Sequence, residues 1–323
     1  MISRLLTTRR LALTTMLALA APALAQDGYP NKPITMIVPF AAGGSSDVIA
    51  RLVGDEMGRV LGQRIVMENM AGAGGATALT RAAKADPDGY TIVIGNSGTN
   101  AASYSIYPDL KYTQADFAPI GLVAKTSPMI ALKLDFPAKN LMEFVDYAKK
   151  NPGKVSLGHA GVGSSNYLIC RNFIKAAGVE VALVSYRGAG PALNDLMGGK
   201  IDGVCDAATS LSGAVQGAKV KALVVATPSR LDSLPDVPTS REAGLPAFEA
   251  QGWNALFGPK SLPEPIVTKL NQALRTALAS PNLQARFKEL SSVLPAENEL
   301  TPAHVGAMVP GEIEKYKILL QDK

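Results

Sequence analysis

A glycine-rich turn, Pro39-Phe40-Ala41-Ala42-Gly43-Gly44-Ser45-Ser46-Asp47, decides the fold predicted for this chain. The apolar run 34–38 before it predicts a buried strand, and the periodic segment 48–53 after it predicts a helix. A strand-to-helix turn of this kind offers free backbone N–H groups and the positive end of a helix dipole to an anion. The same stretch is equally compatible with an ordinary loop whose polar residues only cap the helix.

The composition predicts a globular protein without a nucleic-acid footprint. The chain has 323 residues, of which 47% are hydrophobic and 18% charged, which is enough material for one large core or two smaller ones. Its formal net charge is +5. Arg4, Arg9 and Arg10 supply three of these charges within a leader that holds no acid, so the rest of the chain carries only two. No basic run interleaved with aromatic residues points to DNA or RNA.

The first 25 residues predict a cleaved signal peptide. A basic start is followed by the apolar segment 11–21 and by Ala23-Leu24-Ala25, a cleavage site of small residues. The apolar segment is too short to span a bilayer comfortably, which argues against a retained membrane anchor. The mature chain is therefore expected to be soluble outside the cytoplasm. Thr8-Arg9-Arg10-Leu11 matches a twin-arginine signal only in part, so the export route stays open between Sec and twin-arginine.

Alternating strand and helix patterns predict two α/β lobes with doubly wound parallel sheets and flanking helices. We expect residues 26–123 and 229–323 to form lobe 1, and residues 124–228 to form lobe 2. The turn Phe40–Asp47 has a chemical counterpart in lobe 2, Gly161–Asn166. Ligands of open α/β sheets bind beyond the carboxyl ends of the strands, so the two turns are predicted to face each other across a cleft that binds a small anion.

The predicted ligand-binding residues are those of the two turns and of neighbouring strand ends: Phe40, Ala41, Gly43, Gly44, Ser45, Ser46, Asp47, Asn96, Ser97, Gly161, Gly163, Ser164, Ser165, Asn166, Tyr167, Tyr186 and Asp206. Two of them have a second interpretation. Asp47 either pairs with a cationic ligand group or caps its helix, and Asp206 either points into the cleft or is a buried acid satisfied by backbone amides. Arg187 is either a carboxylate ligand or a solvated loop residue, and Trp253 lines either the cleft or the core.

Catalytic, metal and cofactor sites are not predicted. The chain has no G-x-S-x-G elbow, no complete dinucleotide fingerprint and no Walker sequence. An exported hydrolase using Ser164 and His159 is the alternative function of another class. Cys170 and Cys205 are the only cysteines and form either a disulfide or two separate buried thiols. Two cysteines and two histidines far apart in sequence do not make a metal site.

Several motifs in the same order resemble the Bug-type extracytoplasmic solute-binding receptors of tripartite tricarboxylate transporters. They cover essentially the whole mature chain and comprise residues 30–34, 37–47, 66–75, 86–91, 161–166, 186–199, 236–239 and 253–259. One departure follows the second turn, where the family often has histidine and then an acid, and this chain has Tyr167 and Arg171. Arg171 either favours a second carboxylate or faces solvent.

The resemblance implies a periplasmic two-lobed clamp of the Venus-flytrap type that closes on a small organic acid. We expect the protein to act as a monomer and to break no bond in its ligand. The resemblance also implies that the turns matching Phe40–Asp47 and Gly161–Asn166 hold the ligand carboxylate largely through backbone amides and hydroxyls. The implied partners are the integral-membrane subunits of the transporter, and the alternative output is signalling to a sensor protein. Dicarboxylates, tricarboxylates, amino acids and aromatic acids all suit such a cleft.

Overall fold

The computed structural model describes residues 28–321. The predicted signal peptide, residues 1–25, lies outside the described residues. Within them, no helix has the length and apolar character needed to cross a bilayer.

Within residues 28–321, ten strands form two five-stranded sheets. Their bounds are β1 Ile34–Val38, β2 Ile65–Asn69, β3 Thr91–Asn96, β4 Phe117–Thr126, β5 Pro128–Leu132, β6 Ser156–His159, β7 Ala182–Ser185, β8 Gly203–Ala207, β9 Lys221–Val225 and β10 Gly252–Pro259. The first sheet has the order β2-β1-β3-β10-β4 and the second has the order β7-β6-β8-β5-β9.

Both sheets are mixed, whereas the sequence predicted parallel ones. In the first sheet β1 is parallel to β2 and β3, but β10 is antiparallel to β3 and β4. In the second sheet β6 is parallel to β7 and β8, but β5 is antiparallel to β8 and β9. The reversed strands β5 and β10 are the ones that enter a sheet directly from the other lobe, without the helical crossover that parallel neighbours require.

In the described part of the chain, ten α-helices flank the sheets: α1 Ser45–Leu61, α2 Ala76–Ala83, α3 Ser103–Ile106, α4 Leu141–Lys150, α5 Ser165–Ala177, α6 Ala189–Met197, α7 Ala208–Gln216, α8 Glu264–Leu278, α9 Pro281–Glu289 and α10 Pro302–Gln321. The predicted helix starts at Pro281 and Pro302 are confirmed. Proline suits the first helical position because its fixed φ is helical and its missing N–H has no partner there.

Each sheet has an apolar core on both of its faces. In β1, Ile34, Met36 and Val38 pack into one apolar core, while Ile37 between them packs into the core on the opposite face. The alternation follows from the two-residue period of a strand, and burial on both faces explains why the run is continuously apolar. This double burial fixes β1 rigidly and therefore fixes the position of the turn that follows it.

The chain passes between the sheets twice. β4 ends in the first sheet at Thr126 and β5 begins in the second at Pro128, and the chain returns between Glu249 and Gly252. We therefore assign residues 28–126 and 252–321 to lobe 1 and residues 127–251 to lobe 2. The predicted return near residue 228 lies earlier in the chain. Segment 229–250 packs on the second sheet, where Thr239 bridges to Val225 and Phe248 joins the core.

Candidate functional site

A cavity of about 250 Å³ lies between the lobes, at the carboxyl ends of the parallel strands. Its floor is buried and includes Ser46, Asp47, Asn166, Asp206 and Asn254. Its rim is exposed and includes Glu249, Gln251 and Lys315. This volume lies at the small end for ligand sites, which suits a small molecule rather than a nucleotide.

The N-terminus of α1 opens into this cavity without a side-chain cap. Its N-cap is Gly44, which has no side chain, and Ser45 begins the helix. The first amides of a helix have no carbonyl partner within it, so they are available to a ligand. The Ser45 hydroxyl is buried and has no hydrogen-bond partner among the described residues. Both features are those of an anion site whose donors are not used by the protein itself.

Ser46 presents a hydroxyl whose proton is free. Its Oγ accepts hydrogen bonds from the side-chain amides of Asn254 at 2.9 Å and Asn96 at 3.2 Å. A hydroxyl has one proton and two acceptor lone pairs, so both acceptor positions are filled and the proton remains to be donated. The two asparagines therefore turn Ser46 into a hydrogen-bond donor at the cavity floor.

Asp47 holds the turn in place. Its carboxylate accepts from the Gly43 N–H at 3.0 Å, from Asn69 Nδ2 at 2.8 Å and from the Arg51 guanidinium at 2.9 and 3.1 Å. Burial by itself raises the pKa of Asp47, but the hydrogen bonds from Arg51, Gly43 and Asn69 outweigh it and hold the pKa below its usual value. Its negative charge is therefore compensated within the protein, which favours its structural interpretation over a bond to a cationic ligand.

The N-terminus of α5 reaches the cavity from lobe 2. Here the N-cap is Ser164, whose Oγ accepts from the Tyr167 N–H at 3.1 Å, so this helix caps itself. Ser165 and Asn166 line the cavity. Asn166 Nδ2 donates to Asp206 Oδ1 at 2.5 Å and to the Cys205 carbonyl at 3.1 Å, which joins α5 to the end of β8.

Asp206 is a fully buried acid with uncharged partners. Besides Asn166, it accepts from the Ala207 N–H at 2.7 Å and from Ser210 Oγ at 2.5 Å. Burial raises the pKa of Asp206 to about 6, although these hydrogen bonds act in the opposite direction. Asp206 lines the cavity, and of its three donors one is a backbone amide and two are side chains. Asp206 therefore both lines the cleft and is a buried acid, but only one of its donors is a backbone amide.

The loops around the cavity touch across the two lobes. The Ala41 N–H donates to the Arg187 carbonyl at 3.0 Å, and the Tyr107 hydroxyl donates to the Val162 carbonyl at 2.6 Å. A Cβ at Gly98 would lie 2.4 Å from the Ser165 nitrogen, so only glycine permits this approach. The lobes are closed on each other in this structure.

Nine of the seventeen predicted ligand residues line the cavity: Phe40, Gly44, Ser45, Ser46, Asp47, Ser97, Ser165, Asn166 and Asp206. Eight others lie outside the lining: Ala41, Gly43, Asn96, Gly161, Gly163, Ser164, Tyr167 and Tyr186. Asn96 and Gly43 bond lining side chains: Asn96 Nδ2 donates to Ser46 Oγ, and the Gly43 N–H donates to the Asp47 carboxylate. The hydroxyl of Tyr186 instead bonds Asp195 on α6, and Tyr167 packs on His159.

The sequence did not predict the cavity residues that come from the crossing strands and from α10. Thr126, Gln251, Gly252 and Asn254 line the cavity, as do Lys315, Tyr316 and Leu319. Trp253, which was considered for the cleft, packs in the core, and its Nε1 donates to Glu312 at 2.9 Å. Neighbours in a strand point to opposite faces, so burying Trp253 directs Asn254 into the cavity. This alternation along the strand is the sequence signal that could have predicted Asn254 as a cavity residue.

The Ser164–His159 hydrolase alternative is wrong. Ser164 Oγ donates to the Gly161 carbonyl at 2.6 Å rather than to a histidine. His159 Nδ1 accepts from the Gly161 N–H at 3.1 Å, and its Nε2 lies 3.2 Å from Ser185 Oγ. Burial lowers the pKa of His159 to about 4. Ser164 is therefore a helix cap and His159 a neutral buried side chain, and the pair lacks the nucleophile–base hydrogen bond of a hydrolase.

The two cysteines form a disulfide between Cys170 on α5 and Cys205 on β8. The sequence had left this pairing open. The bond closes a loop across 35 residues and ties α5 to the strand that carries Asp206. It therefore fixes the lobe 2 side of the cavity.

The chain matches the family model described as the tripartite tricarboxylate transporter family receptor over residues 49–297. The chain belongs to this family. It is also 42% identical over 93% of its length to the UPF0065 protein in the TAR-I ttuE-ttuC' intergenic region of Agrobacterium vitis, and covers 87% of that relative. It is 33% identical over 81% of its length to Protein BugT of Bordetella pertussis, and covers 81% of that protein. The resemblance predicted from the sequence motifs is confirmed.

Solved structures show the same two-lobed architecture. MatC from Rhodopseudomonas palustris with bound malate is 38% identical, with a TM-score of 0.87, over 90% of this chain and 99% of MatC. The periplasmic binding protein BugD is 38% identical, with a TM-score of 0.87, over 91% of this chain and 98% of BugD. R. palustris Rpa4515 with adipate is 28% identical, with a TM-score of 0.86, over 91% of this chain and 97% of Rpa4515. The protein is thus a receptor of the periplasmic binding type and not an enzyme.

Proposed function

We propose that this receptor captures a small organic carboxylate in the interlobe cavity and delivers it to the membrane subunits of a tripartite transporter. The observation that carries the proposal is the uncapped N-terminus of α1, together with the adjacent Ser45 hydroxyl, which has no hydrogen-bond partner within residues 28–321. A carboxylate placed there accepts from the free amides and from the hydroxyls of Ser45 and Ser46. Such charge-assisted bonds are about twice as strong as neutral ones.

The charges around the cavity support capture by dipoles rather than by a salt bridge. Lys315 is the cation of the described lining, and it lies at the exposed rim, paired with Glu312 at 2.9 Å. Asp47 is paired with Arg51. The floor therefore offers a ligand carboxylate amides, hydroxyls and the positive end of the α1 dipole.

The proposed ligand is a small dicarboxylate. The cavity volume suits a chain of a few carbons, and two similar proteins carry malate and adipate. The proposed ligand residues are the nine predicted residues of the lining together with Thr126, Gln251 and Asn254.

We further propose that the mature chain is an exported periplasmic monomer and works by hinge closure at the two crossing segments, 126–128 and 249–252. A ligand that bonds α1 of lobe 1 and α5 of lobe 2 together has more contacts in the closed form, so it shifts the equilibrium toward that form. The transporter subunits then need only distinguish closed from open lobes.

A thermal-shift panel tests the carboxylate proposal. Purified mature protein is heated with malate, adipate, related monocarboxylates and amino acids, and with the diamide of malate as the matched neutral analogue. A cognate acid near a hundred times its Kd raises the free energy of unfolding by about 2.7 kcal/mol, which corresponds to several degrees in Tm. The diamide is expected to give no shift. No shift with any acid, checked by calorimetry, would overturn the proposal.

A further inference from the structure

Asp206 places a buried carboxyl group in a cavity that is otherwise built to attract anions. It is 3% exposed and lines the same cavity as the N-terminus of α1. Its hydrogen bonds come from Asn166, Ala207 and Ser210, which are all uncharged. A bound anion would therefore face a like charge within a cavity of about 250 Å³. Like charges in one low-dielectric site strongly disfavour having both groups ionised.

Ser210 makes this site suited to either protonation state of Asp206. Its Oγ lies 2.5 Å from Asp206 Oδ2 and 3.0 Å from the Ala207 carbonyl. A hydroxyl has a single proton, so it satisfies only one of these two acceptors at a time. With Asp206 ionised, Ser210 donates to Oδ2 and leaves the carbonyl. With Asp206 protonated, Oδ2–H donates to Ser210, which donates to the carbonyl, and every group is satisfied.

The other titratable groups around the cavity do not neutralise Asp206. On α1, Asp47 is paired with Arg51. At the rim, Glu249 is paired with Arg241 and Lys315 with Glu312, and on α10 burial raises the pKa of Tyr316. On β6, burial lowers the pKa of His159 to about 4, so this side chain is neutral. A proton on Asp206 itself is the remaining way to remove the repulsion.

We propose that Asp206 is a proton-binding site that fills together with the ligand, so that capture of a ligand molecule is accompanied by uptake of a proton from solvent onto Asp206 Oδ2. This inference rests on the proposed function. In the empty protein burial already raises the pKa of Asp206 to about 6. The charge of the ligand raises the pKa further in the complex. Affinity is therefore highest below about pH 6 and falls as pH rises from the empty-state pKa to that of the complex, by up to about tenfold per pH unit.

Calorimetry of the wild-type protein tests the proposal without any variant. Malate is titrated in buffers of different ionisation enthalpy at a pH of about 7, where free malate is fully ionised. The slope of the observed enthalpy against buffer enthalpy gives the protons taken up for each ligand bound. We expect uptake of up to about 0.9 proton, because Asp206 with a pKa of about 6 is already about a tenth protonated in the empty protein at this pH. Binding without uptake would overturn the inference and leave the carboxylate receptor standing, whereas absence of binding by any acid would overturn both.

Asp206→Asn supplies the matched variant. The amide reproduces the protonated acid, because its Nδ2 donates to Ser210 where Oδ2–H would. We expect this variant to bind malate at pH near 8 with the affinity that the wild type shows below pH 6, and with no proton uptake. Asp146→Asn, the same change at an exposed position of α4, is expected to behave as the wild type. Loss of malate binding in a folded Asp206→Asn protein would instead make Asp206 an ionised acceptor for the ligand hydroxyl and overturn the proposal.

Discussion

The N-termini of α1 and α5 line the same cavity, but only α5 has a side-chain N-cap. α1 begins after Gly44 with no side-chain cap, and its position is held by the hydrogen bonds of Asp47. α5 is capped by Ser164 and is held by the disulfide between Cys170 and Cys205. The difference indicates that the two helix N-termini have different roles at the cavity. α1 leaves its amides for a ligand, whereas α5 uses part of its own donor capacity and positions Asn166 against Asp206.

The largest expected effect is on the covalent anchor of α5. Replacing both cysteines, Cys170→Ala with Cys205→Ala, removes a cross-link over a 35-residue separation, and loop-entropy arguments give a loss of about 3–4 kcal/mol in the free energy of unfolding. Denaturant unfolding measures this loss. The wild type with its disulfide reduced is the control and should match the variant. A loss below about 1 kcal/mol would show that packing alone seats α5.

The next effect concerns the polar anchor of α1. Asp47→Asn removes the charge-assisted bonds to Arg51 and weakens those to Gly43 and Asn69, at a cost of about 2 kcal/mol. Because the pKa of Asp47 is lowered on folding, this stabilisation is present above the unfolded-state pKa and is lost as pH falls through the folded-state pKa. Unfolding measured from neutral to acidic pH should show the wild type and the variant converging. A difference that stays constant with pH would contradict the ionised role of Asp47.

A smaller effect tests the cap of α5. Ser164→Ala leaves the Tyr167 N–H without its acceptor and should lower the free energy of unfolding by about 1 kcal/mol. Asn140→Ala removes the equivalent cap of α4, where Asn140 accepts from the Glu143 N–H, and is the matched control. Both should cost similar stability by thermal unfolding, but only Ser164→Ala should also weaken ligand binding. Equal ligand affinity in the two variants would show that the α5 cap does not contribute to ligand binding.

The smallest expected effect on stability is at Ser45, and it comes with a large effect on binding. Ser45→Ala removes a hydroxyl that has no hydrogen-bond partner in the part of the chain that the structure describes, so the free energy of unfolding should change by no more than about 0.5 kcal/mol. Calorimetry with the cognate acid should show about a tenfold loss of affinity, the equivalent of one hydrogen bond to a charged group. Ser46→Ala is the contrast, because it leaves Asn96 and Asn254 unpaired and should lower stability as well. Unchanged affinity in Ser45→Ala would remove Ser45 from the ligand site.

Local patterns predicted much of the fold because they reflect local physics. The apolar run of β1, the turn after it and the proline starts of α9 and α10 each follow from periodicity or backbone preference over a few residues. The sheets were predicted as parallel because an alternation of strands and helices does not reveal where a strand enters a sheet directly from the other lobe. The direction of β5 and β10 depends on which lobe each strand enters, and that is a long-range property.

Some residues of the candidate site could likewise be predicted from local patterns, whereas others depend on long-range structure. Ser45, Ser46 and Asp47 were predicted because a helix start after a strand is visible in sequence. Thr126, Gln251 and Asn254 were not predicted, since they reach the cavity only because the two crossing segments lie side by side, with Gly252 paired to Thr126.

The sequence by itself determined the family, the two α/β lobes and the two turns that offer helix N-termini to an anion, because each depends on short motifs read in order. Only the tertiary structure decided that Cys170 bonds Cys205, that Ser164 caps a helix instead of attacking a substrate, and that Asp206 is buried among uncharged donors. The physical reason is that burial, pairing and pKa depend on what packs around a group, and those neighbours come from distant parts of the chain. The position of the other lobe, which places α5 and Asp206 on the same cavity as the turn after β1, likewise follows only from the tertiary structure.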